Sequence, residues 1–336
     1  MTKSCLDDIL IQRKSQQEKC AVILCIWRRI HSGKEIMGEC YTSAMAHFCK
    51  TTTVFDAMQT LRDAGFDAMD FPISTYSRPL DSPLRGENWR EWVRSVREFS
   101  ESIGLPVTQA HASWEQTVAQ DFHYESPYEI YTRTIEACHL LGCRKLIFHP
   151  VLYLFRCPDR SFHERLHEWN VRWFSELLPL AERFDVVIEL ENTFDYRHVQ
   201  KPGDPSMPYT TAEDLLELAH RLNSPRVKLC LDTGHANIEG RNVPEMIRKY
   251  GNLLDTLHLN DNFGYISPVF EDLHLFPGYG RLDWSAIFTA LHEIGYSGTI
   301  NIEPVAELDR LPRELRVLQL SAALGILKYY NRSVQK

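Results

Sequence analysis

Five of the apolar runs in this 336-residue chain stop at a carboxylate or an imidazole. VVIELEN ends at Glu191, VKLCLDTGH at Asp232 and His235, LLDTLHLND at His258, GTINIEP at Glu303, and LIFHP at His149. Within the runs, aliphatic and polar positions alternate. Val186, Ile188 and Leu190 interleave with Glu189 and Glu191; Val227, Leu229 and Leu231 with Cys230 and Asp232; Ile300 and Ile302 with Asn301 and Glu303. Residues two apart in a strand share a face, so one face packs on a neighbouring layer and the other gathers carboxylates and imidazoles. Glu191, Asp232, Glu303 and His258 brought to one place would repel one another unless a cation neutralised them. Mixed oxygen and nitrogen donors suit a divalent metal (Mn, Mg, Co or Zn), and the donor set alone does not choose among these. A lone strand-end carboxylate is ordinarily satisfied by backbone amides. Four at the same end of four successive strands are better explained by a shared ligand.

The elements that must position these residues are legible as an alternation. Strand-like runs lie near 37–44, 66–72, 105–111, 144–150, 185–192, 226–232, 254–260 and 297–304. Helical periodicity fills the intervals: Phe55, Met58 and Leu61 in 54–64, then Leu215, Leu216, Leu218 and Leu222 in 213–222, with Thr53 and Thr211 as N-caps. A closing helix is expected over 312–329. Eight βα repeats make a single-domain α/β fold, a (β/α)8 TIM barrel, the economical reading. The site then lies at the C-terminal mouth, beneath the longer connections 73–87, 151–161, 193–210 and 261–283.

Length and composition agree with one large soluble core: 44% hydrophobic and 24% charged residues. A formal net charge of −8 disfavours a generic nucleic-acid partner. Nine cysteines, an odd number with no CxxC pair, fit reduced thiols and a cytoplasmic location. No run approaches the roughly 20 apolar residues of a membrane span. Residues 1–36 differ from the rest, being rich in Lys, Gln and Glu around the short apolar run from Ala21 to Trp27. They are expected to form a poorly ordered N-terminal extension before a barrel over 37–331. The tract Gly33-Lys34-Glu35-Ile36 resembles a translated purine-rich ribosome-binding site, which makes Met37 the expected native start.

The stretches DVVIELENT, CLDTGHANIEG, LHLND, DLHLFPGYGRLDW and YSGTINIEP resemble the xylose isomerase-like TIM barrel superfamily. That superfamily includes sugar (phosphate) isomerases and epimerases and also endonuclease IV. The resemblance implies a shared four-ligand metal site at Glu191, Asp232, His258 and Glu303. It settles the competition between Glu189 and Glu191 in favour of the latter, leaving Glu189 deeper in the barrel beside Lys228. It also adds His149, His235, Asp272, His274 and His111, a set matching the nine ligands of the three-zinc centre of endonuclease IV. Tyr279 departs from the pattern, since GYG stands where GEG is frequent, a change expected to touch the mouth rather than the metal.

Two activities follow as expectations. The first is metal-dependent isomerisation or epimerisation of a sugar, sugar phosphate or inositol-type small molecule through an enediolate. Glu191 and Glu303 would be the acid/base pair, with His235, His111 and Arg197 contacting substrate. The second is endonuclease IV-like, zinc-dependent phosphodiester cleavage at abasic DNA. The full ligand set favours the second, the acidic balance and the lack of a dense basic stripe the first. A homo-oligomer is compatible with either. Arg78, Arg85, Arg156 and Arg160 also fall in mouth loops and could grip hydroxyls or a phosphate. Asp70, ending the second strand, reads equally as a hydrogen-bond acceptor or a substrate contact. His163-Glu164-Arg165-Leu166-His167 spells HExxH, but it opens the helix after the fourth strand, outside the barrel, and reads as an ordinary helix face.

Overall fold

Thr53 accepts a hydrogen bond from the Asp56 amide and starts helix α1 (Val54–Ala64), which ends at Gly65 in the left-handed conformation (φ 94°). This cap-and-stop pattern turns the chain into strand β2 and recurs around the molecule. The computed structural model describes residues 40–44, 52–77, 81–112, 127–151, 160–194, 208–264, 272–303 and 306–334.

Among these residues are eight strands: β1 (Tyr41–Ala44), β2 (Ala68–Phe71), β3 (Val107–His111), β4 (Lys145–Phe148), β5 (Val187–Glu191), β6 (Val227–Asp232), β7 (Leu254–His258) and β8 (Ile300–Ile302). They form one parallel sheet in the order β7-β6-β5-β4-β3-β2-β1-β8. The two ends meet through Leu259, whose amide donates to Asn301 O (2.9 Å) and which bridges to Ile302. That contact closes the barrel. Each strand lies inside the stretch expected for it.

Besides α1, the outer layer holds α3 (Trp89–Ser102), α4 (Pro127–Leu140), α5 (Arg160–Arg183), α6 (Ala212–Leu222), α8 (Val243–Tyr250), α9 (Trp284–Glu293) and α10 (Arg313–Ser333). Thr211 caps α6, and α10 overruns its expected end. Two short helices were not anticipated, α2 (Ile73–Ser77) and α7 (Thr233–Ile238), both directly after strands and therefore at the mouth. The barrel belongs to the compact unit Gly38–Lys336. The expectations for residues 1–36 and for Met37 lie outside the described residues.

Outward-facing Ile188, Leu190, Leu229 and Leu231 are fully buried under the helices. The inward positions are polar: Thr42, Gln109, Glu189, Asp232, Thr256, His258 and Asn301 have no exposed surface, and Asp70 and Glu191 only about 1%. Buried polar groups require partners, so the interior is a hydrogen-bonded network rather than the layered aliphatic filling usual in such barrels. One expected partnership does not form. Glu189 lies in register with Lys228, yet the Lys228 ammonium donates to Asn252 O at 3.0 Å. An ammonium is costly to bury, and Lys228 reaches the wetter base of the barrel instead. Glu189 accepts from Thr256 Oγ1 (3.3 Å), and burial, reinforced by the nearby Asp255 carboxyl, pushes its pKa well up.

Candidate metal centre

The four ends of β5 to β8 converge as their sequence pattern requires. His258, the last residue of β7, places Nδ1 at 2.9 Å from Glu191 Oε1 and 3.6 Å from Glu303 Oε2. Asp232 closes β6 and caps α7, accepting from the His235 amide at 2.7 Å. Its other oxygen accepts from Asn260 Nδ2 at 2.8 Å. Gly234 is needed here because a Cβ would fall 1.8 Å from Asn260 Oδ1. His111 and His149, from β3 and the turn after β4, bring Nε2 to 3.3 Å and 2.9 Å from Glu191 Oε2. Asp272 and His274 arrive from the loop after β7: His274 Nε2 lies 2.6 Å from Asp272 Oδ2, and its Nδ1 3.3 Å from Glu303 Oε2. His235 Nε2 completes the ring at 3.4 Å from Asp272 Oδ2.

That loop is held by Asp261. Its Oδ1 accepts from the amides of Asn262, Arg281 and Leu282, and its Oδ2 from the Gly278 amide and Trp284 Nε1. Gly280 packs so closely on this carboxylate that a Cβ would lie 2.2 Å from Oδ1. His274 is a non-glycine residue with positive φ (45°), a conformation tolerated where surrounding contacts over-determine it.

Burial disfavours ionisation of Glu191, but the imidazoles of His258, His149 and His111 outweigh it and hold its carboxyl well below the usual range. Asp232 goes the other way, pushed up to about 6 chiefly by burial. Burial would lower His274, yet Asp272 and Glu303 raise it to about 10. His258 is likewise lifted well above its ordinary value, because Glu191 overcomes the cost of burial. A cluster that binds protons this tightly offers the same lone pairs to a cation.

The donors fit a divalent metal. Ligand atoms lie within 4.8 Å of one another in several triplets, among them His111–His149–Glu191, Asp232–His258–Glu303 and His235–Asp272–His274. The imidazoles are also pre-oriented. His111 Nδ1 donates to Ala112 O (2.9 Å), His235 Nδ1 to Asn192 O (2.9 Å), and His258 Nε2 to Asp70 Oδ2 (3.0 Å). In each, the outward nitrogen is thereby committed as a donor, so the nitrogen turned toward the cluster is the one whose lone pair a cation can claim in place of a proton, as metal-ligating histidines require. Asp272 Oδ1 is buried without a hydrogen-bond partner among the described residues.

All nine sequence-derived ligand positions therefore meet at one mouth. Arg197, Arg78, Arg156 and the side chain of Arg160 lie outside the described residues. Arg85 donates to Ser77 O at 2.6 Å, which holds the neighbouring turn. The HExxH histidines do not join the cluster. His167, at the α5–α6 contact, lies 3.2 Å from the Tyr209 hydroxyl. Sequence reasoning missed Asn192, Asn260 and Asp261, which orient the ligands. The signal was present, since Asn192 directly follows Glu191, and Asn260 and Asp261 lie just beyond His258 in the same LHLND stretch.

Fold and site together define a parallel αβ barrel with a carboxylate–imidazole centre at its mouth. The family model for the xylose isomerase-like TIM barrel matches residues 58–321, and the chain belongs to that family. It is 28% identical over 226 residues to a D-psicose 3-epimerase of Enterocloster bolteae, covering 64% of this chain and 67% of that protein. It is 26% identical over 170 residues to an inosose isomerase of Bacillus subtilis, covering 50% of this chain and 56% of the relative. The matches thus span between about half and two thirds of these relatives. Among solved structures, the IOLI protein with a binding zinc atom superposes with a TM-score of 0.67 at 20% identity, covering 86% of this chain and 98% of that one. A D-psicose 3-epimerase in the presence of D-fructose gives 0.66 at 17%, covering 87% and 99%. At these identities the structural likeness establishes the fold. Among the described residues no helix is long and apolar enough to cross a membrane.

Proposed function

We propose that the protein is a divalent-metal-dependent isomerase or epimerase of a sugar, sugar phosphate or inositol-type small molecule. One observation carries this reading: Glu191 and Glu303 come from strands on opposite sides of His258 and both face its Nδ1, at 2.9 and 3.6 Å. Moving a proton next to a carbonyl requires a base, an acid and stabilisation of the enediolate. Two carboxylates flanking one point can serve the two faces of a substrate carbon, one removing the proton while the other returns it. Glu191, Asp232, His258 and Glu303 would hold the ion. A bound divalent cation supplies polarisation of the carbonyl and charge neutralisation for the enediolate. His235 and His111, with Nε2 turned inward, are suited to orient substrate hydroxyls, a role proposed for Arg197 as well. The named activities of the epimerase and isomerase relatives support the same class.

The completeness of the nine-residue set favours a second reading, a multi-zinc phosphodiesterase acting on abasic DNA. The acidic balance of the chain speaks against it. Both readings meet in one experiment. The metal-loaded protein is incubated in D2O with ketoses, sugar phosphates and inosose-type ketones, and in parallel with an abasic-site oligonucleotide. Deuterium is expected at the carbon next to the carbonyl of at least one substrate. Zinc-dependent nicking with no exchange across the panel would replace the isomerase reading with the nuclease one.

A further inference from the structure

Three imidazoles of the cluster are fixed by their remote ring nitrogens, but not by the same kind of partner. His111 and His235 donate to main-chain carbonyls, of Ala112 and Asn192. His258 donates to a side chain, Asp70 Oδ2 at 3.0 Å, reaching across the barrel from β7 to β2. Asp70 is 1% exposed and is itself held from two further strands. Gln109 Nε2 on β3 donates to the same Oδ2 at 2.8 Å and also to Leu257 O at 3.2 Å, next to His258 in the chain. Asn301 Nδ2 on β8 approaches at 3.4 Å. These partners are braced in turn: Thr299 Oγ1 donates to Gln109 Oε1 (2.9 Å) and Thr42 Oγ1 to Asn301 Oδ1 (2.7 Å). Five strands therefore aim one carboxyl oxygen at one imidazole N–H. Both ring nitrogens of His258 face carboxyl oxygens, Nε2 that of Asp70 and Nδ1 that of Glu191. When a cation takes the Nδ1 lone pair, the proton left on the ring is the one on Nε2, held by Asp70, with Nδ1 turned toward Glu191 and Glu303.

We propose that Asp70 is a positioning residue of the metal centre: it sets the tautomer and ring orientation of His258, and so the affinity of the site for a divalent cation, without itself binding the ion or substrate. The role rests on the metal-site reading but not on the identity of the reaction. A carboxylate behind a ligating histidine is the arrangement whose loss typically costs 10- to 100-fold in metal affinity.

The test is a double-mutant cycle read in Zn²⁺ affinity, by competition with a chromophoric chelator, on the full chain stripped of metal. Asp70→Ala should weaken zinc binding by about 10- to 100-fold. Asp70→Asn, which keeps the volume and an acceptor oxygen, should fall between it and the unmodified protein. In a His258→Gln background the same Asp70 substitutions should change affinity by less than about 2-fold, because their effect passes through His258. Ser100→Ala removes a buried hydrogen bond outside that network, from Ser100 Oγ to Leu105 O (2.6 Å). It should lower the melting temperature while leaving zinc affinity unchanged, which separates positioning from bulk stability. Nitrogen-15 spectra of histidine-labelled, zinc-loaded protein give a second readout: the single Nε2–H form of His258 should give way to a mixture of ring orientations in Asp70→Asn. If Asp70→Ala fails to fold, Asp70→Asn carries the cycle. Equal affinity losses in both backgrounds, or a loss in Ser100→Ala matching that in Asp70→Asn, would overturn the proposal. Absence of zinc binding by the unmodified protein would remove the site reading and this proposal together, whereas an additive cycle on a zinc-binding protein removes the proposal alone.

Discussion

Glu191 lies within 3.3 Å of three imidazole nitrogens, those of His258, His149 and His111, and its depressed pKa keeps it ionised and able to accept either a proton or a cation. Glu303 is the more open of the pair, its side chain 10% exposed against 1%, which places it nearer to incoming substrate. If both carry protons, Glu191→Gln and Glu303→Gln should each lower kcat by about 10²- to 10⁴-fold, while part of the metal affinity survives, because an amide oxygen still ligates but cannot take up the proton. Parallel measurement of zinc stoichiometry and turnover checks this. A variant whose turnover falls only as its metal is lost, and returns at saturating Zn²⁺, would assign the glutamate to ligation alone. At this scale the sequence was informative because ligands must sit at strand ends, and a strand end is visible wherever an alternating run stops. It could not say which inward side chains meet across the barrel. The His258–Asp70 and Asn301–Asp70 contacts join residues 188 and 231 positions apart, and neither periodicity nor spacing encodes such a distance. The pairing expected of Glu189 with Lys228 failed for a related reason. Register made them neighbours, but the cost of burying an ammonium sent the lysine elsewhere.

Helices α1 and α6 were readable to within a residue because Thr53 and Thr211 cap them and their buried faces repeat at three- and four-residue spacing. Helices α2 and α7 were not, because each is too short to show a period and draws its support from the mouth; α7 is capped by the candidate ligand Asp232 itself. The HExxH sequence on α5 shows an element overriding a motif. His167 is committed to the α5–α6 contact, 3.2 Å from the Tyr209 hydroxyl and 3.7 Å from Glu217. Burial lowers its pKa below 6.5, more than the Glu217 carboxylate restores. A group whose folded-state pKa is depressed stabilises the fold above its unfolded value, and that contribution is lost as pH falls toward the folded value. The unmodified protein should therefore lose stability between pH 7.5 and 5.5 more steeply than His167→Gln, by less than about 1 kcal/mol for a partly solvated ring. Urea midpoints of the two proteins at both pH values measure the difference. Equal slopes would mean that the ring titrates alike in the folded and unfolded states. Zinc binding should be unaffected, since this histidine stands outside the cluster.

At the scale of the whole molecule, a closed barrel of eight parallel strands followed from repetition along the chain, whereas the contact that closes it did not. It depends on Leu259 bridging to β8 one residue beyond the end of β7, a contact with no local signal. The candidate metal centre straddles that seam, with His258 on one side and Glu303 on the other, so a bound ion would tie β7 to β8 as well as serve chemistry. Ions that bind the folded barrel and not the unfolded chain stabilise it by mass action, by about 2.7 kcal/mol at a free concentration one hundred times the dissociation constant. In a domain of this size each kcal/mol is worth about 2 °C or somewhat more in Tm, so one ion should raise the melting temperature by roughly 5 °C. A nine-donor cluster holding three ions of similar affinity should raise it by roughly three times as much, because independent sites add. Melting the metal-stripped protein at stepped concentrations of Zn²⁺, Mn²⁺ and Mg²⁺, alongside native mass spectrometry of each sample, counts the ions and weighs them together. The same experiment on a chain lacking residues 1–36 should give the same shifts, since every described ligand lies in the barrel. Tm values indifferent to all three metals, with no ion retained in the mass spectrum, would mean that the cluster is held together by its own protons, and the metal-dependent reading would fall with it.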